Sequence, residues 1–132
     1  VGYITGADMM IRKDVINESG LFDKDFFMYY EETELTWRIK KLGYDVYNLP
    51  QAKIQHLEGK SLNSNLKRLE RIMAGRNLYY IKTSNKVTKF IADLISISDV
   101  IINYAQHLIL HNKEELISDK IKLSYLKANL GR

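Results

Sequence analysis

Two adjacent carboxylates, Glu31 and Glu32, follow directly on the aromatic run Phe26-Phe27-Met28-Tyr29-Tyr30. Leu35, Ile39 and Leu42 fall at i, i+4 and i+7 behind them, and predict a short amphipathic helix over 31–42. Arg38, Lys40 and Lys41 lie towards its end and Gly43 follows it. A carboxylate in the first turn of a helix meets backbone N–H groups without intrahelical partners and the positive end of the helix dipole. Both keep it ionised and oriented, as a general base requires. A glutamate that merely stabilises the helix would sit in the same place, so spacing alone leaves both readings open.

Other side chains carry weaker signals. His56 stands at the end of a predicted strand, where it reads equally as a strand histidine or a metal ligand. Lys60 and Ser61 offer a cation and a hydroxyl to phosphate or sugar oxygens. Asp23-Lys24-Asp25 has the letters of a metal-binding Asp-x-Asp but falls in the turn after Gly20-Leu21-Phe22, so it is not read as one. His107 and His111, four apart on a predicted helix, lack a third ligand. Tyr79 and Tyr80 near Arg76 and Lys82 suggest base stacking, yet no nucleic-acid module accompanies them, and nucleic acid is not a predicted partner.

The elements that must position these groups are legible in outline. Residues 2–11 are apolar and β-leaning, with Gly2 and Gly6 where the backbone turns or approaches a ligand, and predict a loop leading into a buried strand. Residues 12–19 give one or two helical turns closed by Gly20. Residues 44–49 and 52–57 alternate apolar and polar on either side of Pro50 and predict two short strands. From residue 66 the period is helical, with breaks at Asn85 and Asn112. Val87, Phe90, Ile91, Leu94, Ile101, Ala105 and Leu108 form one stripe. Ile95, Ile102 and Ile109 form a second beside it, which needs its own covering and predicts self-association.

With 132 residues and 45% hydrophobic content the chain is long enough for a compact domain. The absence of cysteine excludes a disulfide framework, thiol catalysis and cysteine-based zinc sites. Lys89, Asp93, Asp99, Asn103 and Gln106 interrupt the most apolar region, so no membrane span is predicted. The net charge of +4 hides a division: residues 1–59 carry seven Lys/Arg against ten Asp/Glu, and residues 60–89 eight against one. The basic segment suits phosphates of a ligand or of lipid headgroups, or a solvated helix face. Val1 in place of Met, and an immediate apolar run, create the expectation that the natural N-terminus lies upstream.

Six pieces in order carry a resemblance: Gly-Ala-x-Met-x-Ile-Arg at 6–12, Gly-x-Phe-Asp at 20–23, Phe-Phe-x-Tyr-x-Glu-Glu-x-x-Leu-x-x-Arg at 26–38, Gly-Tyr at 43–44, Pro50, and His-x-x-Gly-x-Ser at 56–61. Together they resemble glycosyltransferase family 2, in its bacterial rhamnosyltransferase-like branch. The resemblance implies an α/β fold: the C-terminal half of a GT-A catalytic domain over residues 1–61, with the acceptor side and catalytic base, then a helical extension over 62–132. It implies inverting transfer of a sugar such as rhamnose from a nucleoside-diphosphate sugar to a hydroxyl of a cell-surface polysaccharide or lipid-linked precursor.

The family's base is the second acid of a Glu-Asp pair, which matches Glu32, with Glu31 the alternative. Here Glu replaces the usual Asp, moving the carboxylate by about 1.5 Å. The resemblance further implies a divalent cation, Mg²⁺ or Mn²⁺, at His56, and substrate contacts at Gly6, Ala7, Tyr30, Arg38, Lys60 and Ser61. A half without its nucleotide-binding partner would be inactive. The enzyme would be cytoplasmic, peripheral at the inner face of the membrane. A different class of reading makes residues 62–132 a helical module for homodimerisation or membrane docking.

Overall fold

The computed structural model describes residues 1–55 and 65–131. They form a 3-10 turn, Gly6–Asp8, and five helices: α1 Lys13–Ser19, α2 Glu31–Lys41, α3 Asn65–Thr83, α4 Lys86–Ile109 and α5 Lys113–Asn129. The chain divides into two compact units, Val1–Asn63 and Ser64–Arg132.

The first unit packs α1 on α2 through Val15, Leu35 and Ile39, with Met9, Ile11, Tyr44 and Val46 against them. α1 stops where its period predicts, at Gly20, whose φ of 74° and ψ of −178° suit a residue without a side chain. A Cβ there would also lie 3.5 Å from Arg38 Nη1. That guanidinium fastens the two helices. Its Nε and Nη2 donate to both oxygens of buried Glu34 at 2.7 and 2.8 Å, and it reaches the carbonyl oxygens of Ser19 and of Leu21, the latter at 2.8 Å. The i,i+4 spacing of Glu34 and Arg38 makes the first pair a property of the helix itself.

The α/β expectation is overturned: among the described residues there is no strand and no sheet. Residues 44–49, expected as a strand, are irregular, as are residues 52–55 of the second expected strand. The apolar lead-in over 2–11 holds a 3-10 turn instead of a buried strand. The reason is visible at Tyr44 and Val46. Both are half-buried and face the core, while Asp45 and Tyr47 are exposed, so the alternation is real. Alternation reports which side of a segment is covered. It does not supply a neighbouring strand, and the Tyr44 N–H is taken by the Ile39 carbonyl of α2 at 3.3 Å.

The second unit is three helices around Met73, Val100 and Leu126. Asn85 and Asn112, read as breaks, cap the helices that follow: their side chains accept from the N–H groups of Thr88 at 2.8 Å and Glu115 at 3.3 Å. Glu114 and Glu115 sit in the first turn of α5, where the helix dipole favours them.

Charge is buried between these helices too. Asp93 on α4 accepts from Arg76 of α3 at 2.8 Å and from Lys89 at 2.7 Å. Lys89 also donates to the Asn129 carbonyl at 2.9 Å, and Arg76 to Ser96 Oγ at 2.7 Å and the Ala92 carbonyl at 2.9 Å. No helix among the described residues is long and apolar enough to cross a membrane.

Candidate active site at the start of α2

The chain enters α2 through an uncommon backbone. Tyr29 and Tyr30 both take left-handed conformations, with φ of 71° and 70°. Each costs about 1–2 kcal/mol in a residue with a Cβ. Such strain persists only where surrounding structure imposes it, and it concentrates at functional positions. Here the double reversal brings the aromatic run up to the helix so abruptly that Glu31 and Glu32 become its first two residues. The Tyr30 carbonyl accepts the first helical bond, from the Glu34 N–H at 2.9 Å.

Glu32 is half-buried. The 3-10 turn lies against it, since a Cβ built on Gly6 would stand 3.8 Å from Glu32 Cβ. Two sequence-predicted residues far apart in the chain, Gly6 and Glu32, are thereby brought together, with exposed Ala7 next along the turn. Burial pushes the Glu32 carboxyl above its ordinary 4.5; its own backbone N–H pulls the other way, and the neighbouring Glu31 charge adds to the rise. Glu31 Oε2 is buried and has no hydrogen-bond partner among the described residues. Tyr30, half-buried, adjoins the pair, whereas Arg38 is occupied with Glu34 and the segment 19–21.

His56, Lys60 and Ser61, and with them the expected cation site at His56, lie outside the described residues. Among the described residues no group of three His, Asp or Glu is placed to hold a metal ion. The two histidines at helical spacing diverge. His107 Nδ1 pairs with the buried Asp119 carboxylate at 2.7 Å, and His111 Nδ1 lies 3.0 Å from the Ile109 carbonyl. The left-handed Tyr29-Tyr30 pair is the element of the site that the sequence did not announce, because tyrosine carries no preference for that conformation. The partnerless oxygen of Glu31 was equally invisible, depending as it does on what surrounds the helix start.

A glutamate raised by burial in a helix's first turn, beside a glycine turn, takes up a proton more readily than an exposed one. In sequence, a stretch of this chain is similar to a glycosyltransferase. The relatives are the N-acetylglucosaminyl-diphospho-decaprenol L-rhamnosyltransferases of two strains of Mycobacterium tuberculosis, each 32% identical over 56 residues. The match covers 42% of this chain, and the chain spans 18% of the length of those relatives. No protein-family model matches the chain. No solved structure matches it.

Proposed function

We propose that this chain supplies the catalytic base and the acceptor side of an inverting glycosyltransferase of the rhamnosyltransferase kind. Glu32 takes the proton of the acceptor hydroxyl as its oxygen attacks the anomeric carbon of a nucleoside-diphosphate sugar. The nucleoside diphosphate leaves from the opposite face. A single displacement inverts the anomeric centre with one carboxylate and no covalent intermediate.

The observation that carries this reading is the placement of Glu32, in a chain that shares a 56-residue likeness with a rhamnosyltransferase. Its carboxyl, raised by burial, is a stronger proton acceptor than an exposed one. Gly6, which lies against Glu32, would with Ala7 and Tyr30 contact the acceptor, Lys60 and Ser61 would meet the diphosphate or acceptor, and Arg38 serves by fixing α2. Following the relative's name, the acceptor class is a lipid-linked N-acetylglucosaminyl diphosphate and the sugar donated is rhamnose. Among the described residues no group of three His, Asp or Glu is placed to hold a divalent cation, and His56 lies outside them.

The test is an amide-shift titration with a short-chain, soluble N-acetylglucosaminyl-diphospho-lipid. Shifts are expected at Gly6, Ala7, Tyr30 and Glu32. In the whole enzyme, Glu32→Gln should abolish sugar transfer while those shifts persist. Transfer at the wild-type rate by the Gln variant, or shifts confined to the second unit, would remove the proposal.

A further inference from the structure

The outer side of α4 is a continuous apolar face. Ile95, Ile102 and Ile109 are 65%, 58% and 75% exposed, and Val87, Ile91, Leu94, Ile101 and Leu108 beside them are exposed as well. At 100° per residue all eight fall on one side of the helix, opposite Lys89, Asp93 and Val100, which are buried. With side chains of roughly 150–200 Å² each, these exposures leave about 900 Å² of apolar surface, above the ~300–600 Å² of the largest patch on a typical monomer. It is also about what one partner contributes to a standard protein interface, ~800 Å².

We infer that this face binds a second copy of the chain, α4 against α4, antiparallel. Three features select that occupant. The spacing 87, 91, 94, 98, 101, 105, 108 alternates four and three, the seam of paired helices, sustained over three heptads. Two small residues, Ser98 and Ala105, interrupt an otherwise bulky seam. In a parallel pair each small residue would face itself and leave a void. In an antiparallel pair centred between residues 99 and 100, Ser98 faces the partner's Ile101 and Ala105 faces the partner's Leu94, so each small residue meets a large one. The one hydroxyl on the seam is already satisfied, Ser98 Oγ donating to the Leu94 carbonyl at 3.0 Å, so enclosing it leaves no orphan.

The charges of α4 argue against a lipid surface as the occupant. Interfacial helices carry Lys and Arg along the margin of their apolar face. On α4 the only such residues are Lys86, at its first position, and Lys89, buried against Asp93, whereas the margin past the Ile95 stripe holds Asp99, Asn103 and Gln106. An uncharged, two-fold self-complementary surface describes an isologous dimer contact.

Light scattering of the 132-residue chain across micromolar concentrations tests this. A mass of twice 15.4 kDa is expected, with Ile102→Glu and, separately, Ile95→Glu weakening association at least 100-fold. Ile117→Glu, an equally exposed isoleucine on α5, should leave it unchanged. Because the chain has no cysteine, Ser98→Cys gives one thiol per copy, which a short bismaleimide should join. Val87→Cys, about 37 Å from its equivalent in an antiparallel pair, should stay unjoined.

A monomer at every concentration, or a dimer indifferent to both Glu variants, overturns the inference. Joining at Val87→Cys overturns the antiparallel arrangement. A monomer that co-sediments with phosphatidylglycerol vesicles, and loses this with Ile102→Glu, would reassign the face to a membrane.

Discussion

Asp93 and Glu32 are both carboxylates drawn away from water, and their surroundings drive them in opposite directions. Burial acts to raise Asp93, but hydrogen bonds from Arg76 and Lys89, reinforced by their charge, outweigh it and hold the carboxyl below its ordinary 3.8. Burial raises Glu32 as well, and there it prevails. Among the described residues no cation pairs with Glu32, and Glu31 beside it adds like charge. The first carboxylate is a joint between helices. The second is a group whose ionised form the fold holds at some cost. Glu34, two residues beyond Glu32 on the same helix, shows that proximity is not the cause. Turned to Arg38, it is buried and doubly bonded.

Removing the joint should have the largest effect. Asp93→Asn leaves Arg76 and Lys89 buried beside a neutral amide and is expected to lower unfolding stability by about 3 kcal/mol, read from urea denaturation. In the first unit the corresponding mechanical weak point is Gly20. Gly20→Ala places a Cβ on a backbone that favours glycine, beside Arg38, and should cost about 2 kcal/mol. Loss of the α4 cap in Asn85→Ala should cost about 1 kcal/mol. Glu32→Gln should cost nothing and gain a few tenths of a kcal/mol, about the size of an exposed charge effect, because it removes a disfavoured ionisation. A loss above about 1 kcal/mol from that change would make Glu32 another joint and erase the contrast.

The same contrast fixes two signs of pH dependence. Asp93 has its folded pKa below the unfolded one, so its contribution is complete above 3.8 and is lost as pH falls through the lower folded value. Glu32 has its folded pKa above 4.5, so its contribution is complete below 4.5 and is lost as pH rises through the higher folded value. Wild type should therefore lose stability relative to Glu32→Gln on going from pH 4 upward, and relative to Asp93→Asn on going below it. Thermal melts across that range read both.

Much of the frame was legible because it follows from local chemistry. Gly20 and Gly43 end α1 and α2, and Asn85 and Asn112 begin α4 and α5, whereas Arg38, expected as a substrate contact, pairs with Glu34 four residues before it. The sheet was misread because Tyr44 and Val46 alternate as strand residues do while lacking a ladder partner. What raises Glu32 was hidden, since its burial depends on the Gly6 turn brought against it across the fold. The Arg76–Asp93 pair is 17 residues apart on two helices, beyond the reach of any local rule, and Lys89 read only as an interruption in an apolar stripe.

The most direct test of the contrast is the titration of the two carboxyl groups in one sample, followed through side-chain carboxyl ¹³C shifts. Glu32 should titrate above 4.5 and Asp93 below 3.8. Glu32 titrating at or below 4.5 would contradict its assignment as the proton acceptor.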